Sequence, residues 1–295
     1  MAERISEKGK LYIVATPIGN LGDMSYRAVE TLRSVSLIAA EDTRNSIKLL
    51  NHFEIKTPMT SYHEHNKYEK AEELIAKLRS GEDIAIITDA GTPCISDPGE
   101  VLVRRCAEEG IEVTGVPGAC AAINALTLSG FSSRHFLFVG FLPGKKQKKE
   151  RERELMRLSS ETATMILYEA PHHLQDTLKD LCDKLGQDRR VCLCREMTKK
   201  HEELIRTTLG EAAALSPRGE YVLIIEGLSE DAAEALRAKE RKDSGTVMLN
   251  ELDIPAHIEA LMEKGLTEKE ALKQAALDRG MQKREVYRVW HGLDE

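Results

Sequence analysis

Short apolar runs alternate with amphipathic stretches from residue 11 to about residue 226. Leu11–Val14 reads as a strand that opens onto Ala15–Asn20, and a helix follows over Ser25–Arg33. Ser36–Ala40 is a second strand, running into Glu41, Asp42, Thr43 and Arg44. Over Tyr68–Arg79 the apolar positions Ala71, Leu74, Ile75 and Leu78 fall on one helical face. Ile84–Thr88 and Ile111–Thr114 are further strands, and Val116–Ala119 then breaks into an Ala-rich helix through Leu128. The chain changes character near Gly130. A second set follows: strand Phe136–Phe141, strand Thr164–Tyr168, helix His172–Leu185, strand Val191–Cys194 and strand Tyr221–Glu226. Strand–helix alternation on both sides of residue 130 predicts an α/β sheet in each half. The expected boundaries are 10–129 for the first domain and 130–228 for the second.

Residues 229–250 are charged and Ala-rich and read as a helix-containing linker. In the tail, 251–295, a helix starts at Asp253-Ile254-Pro255, carries Ile258, Leu261 and Met262, and ends at Gly265. Thr267 with Glu270 forms a capping-box pattern for the next helix, Gly280 closes it, and Gln282–His291 makes a third. Three short helices with Gly turns fit a helix-turn-helix unit or a packing appendage equally well. Trp290 reads as a core anchor of that unit.

The 295 residues suffice for two domains and a small third. No apolar run approaches the roughly 20 residues that span a membrane, and Met1–Lys10 is polar. The six cysteines form no C-x-x-C pair; Cys192 and Cys194 share one face of a strand. Reduced cysteines in a cytoplasmic protein without a metal site are expected. The net charge of −7 argues against a protein that coats nucleic acid with its whole surface.

Candidate chemistry lies in the loops. Asp89–Gly99 leaves a buried-type strand as Asp, Gly, Thr and Pro, then restarts as a helix with Asp97 as N-cap and Pro98 as first helical residue. The segments Thr16–Asn20 and Val116–Cys120 also follow strands, and Arg218-Gly219-Glu220 precedes one. A parallel sheet brings such strand-end loops to one edge, where small ligands bind. No phosphate-loop or dinucleotide glycine signature is present. Glu41, Asp42 and Arg44 stand at a strand end, where acids can accept a proton; the plainer reading is an N-cap Asp with a surface ion pair. Tyr168–His173 and Arg195–Lys200 place mixed charge at two strand ends of the second half. His63 and His65 read as surface residues. Lys145, Lys146, Lys148, Lys149 and Arg151 make a local basic run suited to phosphates.

The segments LYIVATPIGNLGDMSYRAVETL, LIAAEDTR, ITDAGTPCISDPG, VPGACAAINAL, FVGFLPGKK, ILYEAPHHL, REMTKKHE and RGEYVLIIEG occur in this order over most of residues 11–227. In these the chain resembles the tetrapyrrole-methylase superfamily and, within it, the bacterial small-subunit ribosomal RNA (cytidine-2′-O)-methyltransferase family. The resemblance implies two α/β domains with S-adenosylmethionine in the cleft between them, a small helical C-terminal domain, a homodimer, and ribosomal RNA of the assembled small subunit as partner. It implies cofactor contacts from Pro17, Ile18, Asp89, Ala90, Gly91, Thr92, Pro93, Ile95, Cys120, Ala121 and Tyr168. For catalysis it leaves Glu41, Asp42, Glu169 or Glu196 to accept the ribose proton, or Lys199 or Arg195 to stabilise the developing alkoxide. Arg44, Lys145, Lys146, Lys148 and Lys149 would hold the RNA backbone. His172-His173 departs from the His-Arg pair common in the family. Methylation of a tetrapyrrole carbon and a non-catalytic RNA-binding module stay open as alternatives; the basic run and the helical tail weigh against the first.

Overall fold

The structure, a computed structural model, describes residues 8–215, 219–243 and 252–293. It divides into two compact units, residues 1–159 with 163–227, and residues 160–162 with 228–295. The first unit holds two five-stranded sheets.

The first sheet contains β1 (Leu11–Val14), β2 (Leu37–Ala40), β3 (Met59–Ser61), β4 (Ile84–Ile87) and β5 (Val113–Val116) in the order β3-β2-β4-β1-β5. All pairings are parallel. Such strands must be buried on both faces, which explains the unbroken apolar run Ile84-Ala85-Ile86-Ile87. Ile84 and Ile86 pack with α3 (Lys67–Arg79) and α4 (Gly99–Glu108). Ala85 and Ile87 pack on the opposite face with α1 (Tyr26–Ser34) and α2 (Thr43–His52). A 3-10 turn at Leu21–Asp23 precedes α1.

The second sheet contains β6 (Phe136–Gly140), β7 (Thr164–Glu169), β8 (Arg190–Arg195), β9 (Glu203–Thr208) and β10 (Tyr221–Ile225) in the order β6-β7-β10-β8-β9. Only β6 and β7 are parallel; the other pairs run antiparallel. One face, with Met165, Leu167, Leu193 and Leu223, packs on α6 (Lys148–Ser159), α7 (Pro171–Leu185) and α8 (Leu209–Ala212). The other, with Ile166, Cys192, Cys194, Val222 and Ile224, is covered by Ala122, Ala125 and Leu126 of α5 (Ala121–Ser129), a helix of the first half.

Several elements differ from the sequence reading. Helix α4 begins at Gly99, one residue after Pro98, although Asp97 still caps it by accepting from the Gly99 amide at 2.7 Å. Strand β5 lies two residues beyond the expected Ile111–Thr114. The sequence reading missed α2, α6, α8, β3 and β9: α2 and α6 carry largely polar sequences, α8 is only four residues long, and β3 and β9 close their sheets as half-buried edges. The basic run does not form one solvated face. It crosses into α6, and Arg151 is buried, bonding Asp180 (2.7 Å), the Pro143 carbonyl (2.9 Å) and the Thr177 hydroxyl (2.9 Å).

In the second unit, the Leu228 amide donates to the Glu161 carbonyl and Arg237 of α9 (Glu230–Asp243) to the Ser160 carbonyl. Residues 244–250 of the expected linker lie outside the described residues. Helices α10 (Ile254–Glu263), α11 (Glu268–Arg279) and α12 (Lys283–Trp290) enclose Ile258, Leu261, Leu272, Ala275 and Val286. Capping boxes open α11 at Thr267 and α12 at Gln282. Trp290 packs against this core, and its indole donates to Glu268 at 3.0 Å. His257 is fully buried; Arg279 donates to its Nδ1 at 3.0 Å, and its Nε2 lies 3.3 Å from Asp278.

Burial, aided by Arg279, holds the His257 imidazole below its ordinary value of 6.5, against the opposing pull of Asp278. The unfolded chain therefore takes up the proton first as pH falls. His257 contributes stability that is complete above about pH 6.5 and is lost as pH drops through the lower folded value. Trp290, the single tryptophan, reports on this unit. Its fluorescence-monitored urea midpoint should fall between pH 7 and pH 5, and His257→Gln should flatten that dependence. A midpoint equally steep in the variant would contradict the assignment.

Candidate functional site

Parallel pairing puts the carboxyl ends of β1, β2, β4 and β5 at one edge, and three loops there are tied together. The Thr16 amide donates to the Gly91 carbonyl at 2.8 Å and the Gly91 amide to the Thr16 carbonyl at 3.1 Å. The Thr92 hydroxyl donates to the Ala119 carbonyl at 2.9 Å. Gly91 has φ +87°, and a Cβ there would meet Ile18 Cγ2 at 3.1 Å. The loops thus pack backbone to backbone.

Opposite them stands Tyr168 at the end of β7. Its phenol accepts from the Ala122 amide at the start of α5 at 3.2 Å, and Phe138 and Phe141 meet its ring edge-on. Burial pushes its pKa up to about 12, so the phenol is neutral. Between the walls lies a cavity of about 380 Å³, within the range of small-molecule sites. Ile18, Asp89, Ala90, Gly91, Thr92, Ile95, Cys120, Ala121 and Tyr168 all line it. Pro17 instead lines a neighbouring cavity, and Pro93 is buried without lining either. Asp97 and Glu220, from two of the candidate loops, line the first cavity too, as do Thr88 and Met197, which the sequence reading did not single out. The adjoining Asp89 and Lys199 were the available signal for Thr88 and Met197.

The cavity is acidic. Glu41 accepts from the Thr88 hydroxyl at 2.5 Å. Burial raises the pKa of Asp89, with the charges of Glu41 and Asp42 adding to it, while the Asn45 side chain and the Asp42 amide offset part. Burial raises Asp97 as well. Glu169 lines the cavity, yet its carboxylate is held by the Thr177 hydroxyl (2.5 Å) and the Ala170 amide (2.8 Å) at the head of α7.

Asp42 takes the plainer role. It caps α2 through the Arg44 amide (2.8 Å) and grips the Arg44 guanidinium, which hold its carboxyl at about 2. Arg44 is 88% exposed. Arg195 pairs with Glu203 across β8 and β9 at 2.8 Å and lines neither cavity. Lys199 sits between Glu196 (3.3 Å) and Glu220 (3.1 Å). Burial opposes its charge, but the two carboxylates outweigh burial and raise its pKa. The Glu220 amide donating to Glu196 at 3.0 Å, together with Lys199, keeps that carboxyl low.

Cys94, Ser96, Glu196 and Thr198 have φ between +49° and +70°, four of the five non-glycine residues in that region among those described. All lie in the two loops that flank the cavity, where such strain is held by surrounding packing. Lys145 pairs with Asp176 at 2.6 Å, while Lys146, Lys148 and Lys149 are exposed. His172 and His173 are exposed, their rings tilted against each other with centroids 4.1 Å apart. Arg218 lies outside the described residues. Among the described residues no group of three or more His, Cys, Asp or Glu could hold a metal, and no helix is long and apolar enough to cross a membrane.

Residues 10–213 match the family described as Tetrapyrrole (Corrin/Porphyrin) Methylases. A protein of Synechocystis sp. named Ribosomal RNA small subunit methyltransferase I is 46% identical, over 95% of this chain and 97% of its own. A protein of the same name from Bacillus subtilis is 45% identical, over 97% of this chain and 95% of its own. Among solved structures, diphthine synthase superposes with a TM-score of 0.58 at 12% identity, over 74% of this chain and 90% of its own. Uroporphyrin-III-C-methyltransferase from Thermus thermophilus gives 0.52 at 18%, over 74% and 94%. These structural likenesses speak to the fold alone.

Gly91→Ala should lose about 1–2 kcal/mol of stability, because its φ suits glycine and Ile18 leaves little room. Urea denaturation measures this; an unchanged midpoint would show that the loop relaxes freely.

Proposed function

The chain belongs to the tetrapyrrole (corrin/porphyrin) methylase family, and we propose that it uses S-adenosylmethionine to methylate the 2′-hydroxyl of a cytidine in small-subunit ribosomal RNA. The observation that carries this reading is the cavity of about 380 Å³ between the strand-end loops of the first sheet and Tyr168. The near full-length relatives named for ribosomal RNA methylation support the substrate class.

The residues present fit the cofactor. A cation with an aromatic base calls for carboxylates, an aromatic face and apolar walls. Glu41, Asp89 and Asp97 supply the first, Tyr168 and Phe141 the second, and Ile18, Ile95, Ala121 and Met197 the third. When bound, S-adenosylmethionine supplies a methyl group already activated by positively charged sulfur. The protein's task is then to align the ribose oxygen and manage its proton. Glu41, seated on the Thr88 hydroxyl at the cavity wall, is our candidate proton acceptor. Lys199, kept charged by Glu196 and Glu220, offsets the charge developing on that oxygen. Asp42, Glu169 and Arg195 act in this scheme by holding α2, α7 and the β8–β9 edge. Arg44, Lys146, Lys148 and Lys149 present positive charge to the RNA backbone. The assembled small subunit is the proposed substrate, which places the protein in the cytoplasm. We assign a homodimer, supported by the exposed Ile95, Ile123 and Phe136 around an apolar groove of about 330 Å³.

The test offers methyl-labelled S-adenosylmethionine with small subunits from cells lacking the protein, with naked RNA and with a tetrapyrrole precursor. Label should enter the subunit RNA at one cytidine and protect its 3′ linkage from alkali. Replacing Lys146, Lys148 and Lys149 by Ala should weaken RNA binding and lower its salt slope by up to about 3. Label on the tetrapyrrole alone would overturn the reading.

A further inference from the structure

A second cavity of about 360 Å³ adjoins the first and shares Ile18, Thr88, Asp89, Ala90, Lys199 and Glu220 with it. Its remaining wall comes from the β1 loop and from one face of α2, where Asn45, Lys48 and Leu49 follow helical i, i+3, i+4 spacing. Ser46 of the same helix also lines it. Ser46 is 4% exposed, and its hydroxyl has no hydrogen-bond partner. The usual escape for a helical serine, the carbonyl four residues back, is crowded: Asp42 already accepts the amides of Asn45 (3.2 Å) and Ser46 (3.0 Å). Buried hydroxyls are almost always paired, so an unpartnered one in a cavity wall is placed to bond a ligand there.

Lys199 forms the seam between the two cavities. Its stem lies directly over the backbone of Gly19, where a Cβ would come within 2.6 Å of Lys199 Cγ. A group entering the second cavity therefore meets Lys199 and Asp89 before it reaches the first.

We propose that this second cavity is the subsite for the target nucleotide, with Ser46 positioning an extruded pyrimidine nucleoside by a hydrogen bond and Lys48 meeting an adjacent phosphate at the rim. The inference rests on the RNA methyltransferase reading above. The cavity adjoins the proposed methyl-donor site and is of a size for one nucleoside, so a nucleotide turned out of the RNA stack would bring its ribose hydroxyl beside the first cavity. The polar atoms of Asn45 and Ser46 suit a base edge or sugar hydroxyl. Lys48 is exposed and placed for charge rather than packing.

The experiment compares Ser46→Ala and Lys48→Gln with the unaltered chain in thermal stability, S-adenosylmethionine affinity by calorimetry, binding to unmodified small subunits, and methylation kinetics. Methylation by the unaltered chain is measured first, and its failure would strike the functional reading itself. Given that activity, Ser46→Ala should keep its melting temperature or raise it, since an unpaired buried hydroxyl is removed. It should keep cofactor affinity and lose about threefold to tenfold in kcat/KM for the subunit. Lys48→Gln should weaken subunit binding and lower its salt slope by about 1. Unchanged subunit kinetics in Ser46→Ala, or a loss of cofactor affinity in its place, would overturn the assignment.

Discussion

Helix α5 meets the second sheet through Ala122, Ala125 and Leu126, laid on Cys192, Cys194, Val222 and Ile224. Small side chains on both surfaces let the helix backbone come close, and burial of this apolar layer joins the two halves. The same helix begins at the end of the β5 loop, and its second amide bonds Tyr168 of the opposite wall. One packing contact therefore sets the distance between the parallel-sheet loops and the aromatic wall that faces them. The cavity is what remains between two surfaces fixed at their shared base.

The chemistry follows from this constraint. Loops clipped to one another by Thr16, Gly91 and Thr92 cannot collapse into the cavity, and strained residues in both flanking loops are held by the packing behind them. Carboxylates then occupy a half-buried space with few basic neighbours, which raises Asp89 and Asp97. Lys199 is the exception, placed by its two carboxylate partners at the junction of the two cavities.

Much of this was legible in the sequence. Parallel strands buried on both faces announce themselves as apolar runs, so Leu11–Val14 and Ile84–Ile87 and the loops after them could be read directly. Edge strands such as β9 are only half-buried and leave a weak signal, and antiparallel pairing of β10 with β7 and β8 has no local signature. The charged clusters were less transparent. The N-cap reading of Asp42 was available from sequence, but nothing there showed that the neighbouring Glu41 lines a cavity, or separated the exposed Lys149 from the buried Arg151 two residues on. Side-chain direction decided each case. The orphaned hydroxyl of Ser46 is visible only in three dimensions, because it depends on what the neighbouring carbonyl already accepts.

The most direct measurement titrates S-adenosylmethionine into Ala125→Leu, with Leu178→Val, on α7 against the opposite face of the second sheet, as the control. If α5 sets the width of the cavity, forcing it off the sheet should weaken cofactor binding by about tenfold or more in protein that remains folded. The control should bind normally despite its own loss of packing. Equal affinity in Ala125→Leu and the unaltered chain would contradict the claim that this contact shapes the site.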